Sequence, residues 1–223
     1  MRIISETLKL TRNNPIVSLI EIAEKAGTTT ALAKTILGDS VGIEDAKLAF
    51  VDSPMRFKLA IDAVRRGALL QVARALTWQE FETFSGECLR TTGFYTRKGV
   101  VVKDISRRWQ IDVIGKKGPM ILAVDCKHWE SPGYESKLSK AAEHQTLAVQ
   151  ALIKQMIAGG EVDREGVLAL PIILTLFEPR SREIDGAVVV PVEQFADFLE
   201  GVSPFSSELP FIHAQSIAKS SIN

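Results

Sequence analysis

The chemistry in this sequence is concentrated in MILAVDCKHW, residues 120–129, where charge interrupts a run apolar enough for a central strand. Asp125 and Lys127 stand two residues apart, so on a strand both project from the same face. In the preceding run, QIDVIG, Asp112 interrupts in the same way. The runs are separated by KKGP, a turn signal that makes them a hairpin. Pairing Gly115 with Met120 puts Asp112 opposite Ala123 and diagonal to Asp125. A shifted turn puts the two aspartates directly across from each other, or moves them further apart. Carboxylates brought together at a sheet surface repel, and a cation resolves the conflict. Mg²⁺, with Mn²⁺ as a substitute, suits oxygen donors and keeps several waters. Asp112, Asp125 and the Cys126 carbonyl are the candidate ligands. Lys127 is then placed to orient a water or to stabilise charge on a phosphate. A lone D-x-K is as readily an ion pair at a strand end. The combination with an acid on the previous strand and a helix before both favours the cation site.

The elements that would position this hairpin read as mixed α/β. Thr77 caps a helix whose Trp78, Phe81, Phe84, Ser85, Cys88 and Leu89 form one stripe, with Glu80 completing a capping box. FYTRKGVVV, RRWQIDVIG and MILAVDCKHW follow as strands. A long helix from about Ser136 to Ala158, strands in VLALPIILTLF and AVVVPV, and a closing helix in VEQFADFLEG complete a three-layer domain with a mixed central sheet. The tail from Ser203 shows no strong period.

The first third reads as helical. Ile16, Val17, Leu19, Ile20, Ile22 and Ala23 recur at helical spacing up to Gly27, and a second short helix runs from about Ala31 to Leu37, ending at Gly38. The pair forms a helix-turn-helix candidate, with Ala23 at the crossing, Ala33 and Ile36 facing inward, and Thr28, Thr30, Lys34 and Thr35 facing a groove or solvent. Residues 41–53 leave open a short wing or strand pair. A connecting helix from Met55 to about Ala75, with a bend at Gly67, leads to a boundary near residue 70. The expected organisation is therefore a helical unit over 1–70, an α/β domain over 71–203 and a tail over 204–223.

Lys plus Arg and Asp plus Glu are both 27, so no global field advertises a nucleic-acid partner and any such case must be local. The local case lies between Arg90 and Lys117, where Arg97, Lys98, Lys103, Arg107, Arg108 and Lys116 face only Asp104 and Asp112. Such a cluster can neutralise backbone phosphates, and equally can be a solvated hairpin surface. Trp109, beside Arg107 and Arg108, reads first as core. Two cysteines cannot build a disulfide framework, no run has the length of a membrane span, and the start lacks a signal-peptide core. The expectation is a cytoplasmic protein without a membrane partner.

The segment from Trp78 to Trp129 resembles the PD-(D/E)xK nuclease superfamily, and within it the Mrr-like restriction endonucleases and archaeal Holliday-junction resolvases. The matching pieces are WQEFETFSGECLRTTGF, QIDVIG and AVDCKHW. The resemblance implies a restriction-endonuclease-like fold, Asp112 and Asp125 as metal ligands, Lys127 as the catalytic lysine, and a helix glutamate, Glu82, with Glu87 as the fallback. Ile111 replaces the motif's proline, and Asp125 stands where many relatives carry Glu or Gln. His128 should point to the opposite face from Lys127, while Glu143 and Gln145 could line the cleft. The activity so implied is Mg²⁺-dependent cleavage of duplex, branched or modified DNA, with a homodimer as a means of cutting both strands. The alternative is an inactive DNA-binding or regulatory protein on a nuclease-like scaffold.

Overall fold

The computed structural model describes residues 1–45, 47–104, 107–129, 134–163 and 166–219, and divides into two compact units, Met1–Glu80 and Phe81–Asn223. The division lies further along than the expected boundary near residue 70. The reason is local. Helix α5, Leu69–Ala75, packs on helices α1, Arg2–Leu10, and α4, Ser53–Val64, and so belongs to the first unit.

In the first unit α1 is followed by strand β1, Ile16–Ser18, helices α2, Leu19–Ala26, and α3, Thr30–Leu37, and strands β2, Gly42–Glu44, and β3, Leu48–Phe50. The strands form a sheet in the order β1-β3-β2. Ile16 and Val17, read as helical, therefore lie in a strand. Their backbone is claimed by Phe50 and Ala49 across the ladder, a non-local pairing that helical spacing cannot register. Ser18 caps α2 by accepting the Ile20 N–H, and Gly27 ends it at φ 66°. Thr29 caps α3 through the Leu32 N–H. Ala23 and Ala33 are buried as expected, but Ile36 is 38% exposed and Leu37 takes the inward place at 0%. The helix expected over 55–75 is broken into α4 and α5 at Gly67, φ 84°.

A buried ion pair closes this unit. Glu80 and Thr77 make the reciprocal capping box at the start of helix α6, Trp78–Thr91, with Thr77 N–H to Glu80 Oε2 at 2.8 Å and Glu80 N–H to Thr77 Oγ1 at 3.2 Å. Arg56, 4% exposed, donates to both Glu80 oxygens at 2.6 and 2.8 Å and to Thr11 Oγ1 at 2.7 Å. Burial alone would raise the Glu80 carboxyl, but the Arg56 and Thr77 hydrogen bonds win and hold it below its ordinary value. Trp78, assigned to the buried stripe, is instead 55% exposed.

The second unit is mixed α/β. Strands β4, Tyr95–Lys103, β5, Arg108–Lys117, and β6, Met120–Lys127, run antiparallel. Helix α7, Glu135–Ala158, is the crossover to strand β7, Leu168–Thr175, which lies parallel to β6. Strands β8, Glu183–Ile184, and β9, Ala187–Pro191, and helix α8, Phe195–Gly201, follow. The sheet has seven strands, in the order β4-β5-β6-β7-β9-β8, with strand β10, Ile212–His213, pairing β7 beside Leu168 and Ala169. The residues after Ser203 are therefore not a free tail. Beyond β10, helix α9, Ala214–Lys219, sends Ala214 and Ile217 into the core under α7. Among the described residues no helix is long and apolar enough to cross a membrane.

Candidate active site

The β5–β6 register is the shifted one, and it brings Asp112 and Asp125 face to face across the hairpin. Lys116 and Lys117 stay in the ladder, the connection is Gly118-Pro119 with Gly118 at φ 57°, and Lys117 pairs with Met120. Gly115 thus pairs with Leu122 rather than Met120, and the last pair is Val113 with Val124. One step further the same register sets Asp112 across from Asp125.

The strands change face at that step. Val100, Val102, Trp109 and Ile111 join the core under α7. The pair Lys98 and Val113 lies against α6 instead, each within 3.8 Å of where a Cβ on Gly86 would stand. Residues two apart on a regular strand share a face, so alternation is broken between them, at Gly99 with φ 59° on β4 and at Asp112 on β5. The ladder hydrogen bonds end there, and the Asp112 carboxylate substitutes for a backbone acceptor: Oδ2 takes the Cys126 N–H at 2.8 Å.

Around this break, charges crowd. Asp125 is 8% exposed, and Lys127 donates to both its oxygens at 2.9 and 2.7 Å. Burial and then the Asp125 charge push the Asp112 carboxyl up to about 6, against the pull of the Cys126 N–H and Lys127. Glu82, reaching in from α6, is pushed up to about 7 by burial and then by Asp112, with Lys98 opposing. Three carboxylates face Lys127 and Lys98, so the cluster is short of positive charge. Glu87 is elsewhere, paired with Arg90 at 2.6 Å along the same helix.

The other expected residues divide. His128 points away, its ring 5.4 Å from that of Phe81. His144 of α7 lies 4.9 Å from Trp109, whose other neighbour is the Arg107 guanidinium at 4.2 Å. Burial, then Arg107, lower the His144 value, and it also feels Asp125 and Lys127. Gln145 does not line a cleft; it is fully buried, its Nε2 donates to the Ala123 carbonyl at 2.8 Å, and its Oε1 has no partner among the described residues. Glu143 is exposed. The basic residues do not form one patch. Arg107 and Arg108 stand at one end of β5 and Lys116 and Lys117 at the other, roughly 30 Å apart at strand rise. Lys98 bonds Thr83 Oγ1 at 3.0 Å, Arg97 pairs with Glu161 at 3.3 Å, and Lys117 bonds the Thr92 carbonyl at 2.9 Å. Lys34 and Thr35 are exposed on α3, alongside Leu32 and Ile36. The Cys126 thiol, of a partly buried residue, lies against Ser85 Oγ at 3.3 Å, and desolvation raises its value well above the ordinary one, which makes it unreactive.

The donors fit a hard divalent cation in kind: carboxylate oxygens, too little positive charge, and acids held near neutrality by burial and by one another. Among the described residues no group of three or more His, Cys, Asp or Glu side chains is placed to hold a metal ion. Lys127 now occupies the Asp125 oxygens that a cation would take.

No protein-family model matches the chain. An uncharacterized protein of Archaeoglobus fulgidus is 25% identical over 138 residues, which are 61% of this chain and all of that protein. Among solved structures, protein VC1899 from Vibrio cholerae superposes with a TM-score of 0.44 at 12% identity, over 88% of this chain and 48% of the other. The chain thus spans about half the length of that protein.

Proposed function

We propose that the protein is a metal-dependent DNA endonuclease of the restriction-endonuclease-like, three-layer type. The first unit, read as a winged helix-turn-helix, engages DNA through Lys34 and Thr35. The observation that carries this reading is the meeting of Glu82, Asp112, Asp125 and Lys127 at one break in the sheet, with two of the acids driven toward neutrality. Perturbed acids of this kind concentrate at functional sites.

Asp112 and Asp125, with the Cys126 carbonyl, would hold Mg²⁺ or Mn²⁺, which supplies charge neutralisation and polarises the phosphodiester. Lys127, 28% exposed, swings from Asp125 to a phosphate oxygen and stabilises the charge that develops there. Glu82, with a value of about 7, is poised to take the proton of the attacking water at neutral pH. The P–O3′ bond breaks, the departing O3′ takes a proton from solvent water, and a 5′-phosphate and a 3′-hydroxyl are left. Arg108 and Lys98, on the strands that carry the site, and Arg107, just before β5, contact backbone phosphates. A homodimer would let one site per chain cut both strands.

The two-point Lys127–Asp125 contact is the observation that favours a second reading, a DNA-binding protein whose site is closed by its own lysine. Incubation of supercoiled, branched and methylated DNA with Mg²⁺ or with chelator separates the two. The nuclease reading predicts cutting with Mg²⁺ alone, lost in Asp125→Ala and Lys127→Ala while DNA binding persists. Cutting that survives both substitutions, or tight binding without cutting on every substrate, would overturn it.

A further inference from the structure

A cavity lies in the α/β unit, between the β4–β5 edge and the C-terminal half of α7, with a volume of about 240 Å³. Its floor is Ile114, Ile121, Leu152 and Met156, all buried. Its rim is Tyr95, Arg97, Lys116 and Glu161. Tyr95 and Lys116 are partners across the ladder, so their side chains leave the same face of the sheet.

Three features select the occupant. The volume falls below the ~300 Å³ at which sites for drug-sized molecules begin, which suits one ring or two fused rings. Tyr95 is 73% exposed, an aromatic face offered to solvent at the mouth of an apolar slot. The rim carries two cations against one anion. The Arg97–Glu161 pair is 3.3 Å long with both side chains about half exposed, so it is weak and readily displaced by a phosphate. Among the described residues the Lys116 ammonium makes one hydrogen bond, to the Glu161 main-chain carbonyl at 3.4 Å, and no ion pair. A flat apolar ring tethered to an anion is the chemistry of a nucleotide.

We propose that this slot takes an unpaired nucleotide, its base stacked on Tyr95 over the apolar floor and its phosphates on Arg97 and Lys116. Stacking on an exposed aromatic beside cations is how single strands are held without sequence preference. A base inside a duplex cannot enter, so the substrates are DNAs with an unpaired nucleotide: flaps, gaps or single-stranded ends. The inference rests on the nuclease reading only for its consequence; the slot binds with or without cleavage.

The probe is a single-stranded oligonucleotide carrying 2-aminopurine, titrated in chelator into the full chain and compared with the same sequence as a duplex. The expected result is a change in 2-aminopurine emission with the single strand alone, and an affinity that falls with salt. Tyr95→Ala and Arg97→Glu, both at exposed positions, should each weaken binding by about ten-fold, with Tyr95→Phe close to the unsubstituted protein. Equal affinity for duplex and single strand, or a Tyr95→Ala protein that binds as before, overturns the proposal. Plasmid cutting in Mg²⁺ is read separately. Cutting without slot binding sinks this inference and leaves the nuclease reading standing, and slot binding without cutting does the reverse. Binding of an apolar peptide in preference to the oligonucleotide also overturns it.

Discussion

The Asp112 carboxylate accepts the Cys126 main-chain N–H at 2.8 Å, where the β5–β6 ladder has just ended. One oxygen of the acid thus repairs the backbone hydrogen bond that the break removes, while its charge sits beside Asp125. The residue has a structural role and an electrostatic cost, and the two can be separated.

Asp112→Asn keeps an acceptor for Cys126 and removes the charge. The C-terminal unit should melt higher at pH 7.5, by on the order of 1 kcal/mol, while cleavage is lost. Thermal unfolding beside a plasmid assay reads both, and a destabilised Asn variant would show that the charge itself supports the fold.

The same acids set a pH dependence. Asp112 and Glu82 titrate above their ordinary values, so between about pH 4 and 7 the native unit binds more protons than the unfolded chain. Its stability should fall as pH rises through that window, and Mg²⁺ should restore part of the loss at pH 7.5. A melting temperature that is flat across the window and indifferent to Mg²⁺ would contradict the charge deficit.

In the first unit the sign is opposite. Glu80 is held below its ordinary value by Arg56 and Thr77, so its contribution is present above about pH 4.5 and disappears as pH falls through the lower folded value. Glu80→Ala leaves the Arg56 guanidinium buried without its carboxylate and should cost about 3–5 kcal/mol. Replacing both, with Arg56→Met and Glu80→Leu, should recover much of that loss in a denaturant titration.

Helix α6 carries Glu82, and its docking on the sheet depends on a missing side chain. A Cβ at Gly115 would stand 2.8 Å from Leu89 Cδ2 and 3.3 Å from Phe94. Gly115→Ala should therefore destabilise the α/β unit by about 1–3 kcal/mol and lower activity, and adding Leu89→Ala should relieve the clash. Chemical unfolding of both variants checks this.

Asp112, Asp125 and Lys127 were legible because they are charges in apolar strands, Glu82 only through the family resemblance, and the capping box because Thr77 and Glu80 are three apart. The register was not, since KKGP specifies a turn without saying whether its lysines belong to the strand, and only Gly118 at φ 57° shows where the chain reverses. Nor was the break in the β4–β5 ladder, where pairing skips Gly99, at φ 59°, and Asp112. Nothing in the sequence marks Arg56, because its partners, Thr11 and Glu80, are distant along the chain. Ile16–Ser18 and Ile212–His213 are too short for periodicity to declare them strands, and their partners lie far along the chain.

Calorimetric titration of Mn²⁺ into the full chain tests the cation site most directly. One binding event per chain, abolished by Asp112→Asn, is the predicted result. No heat of binding in the unsubstituted protein, or an isotherm that the substitution leaves intact, would contradict it.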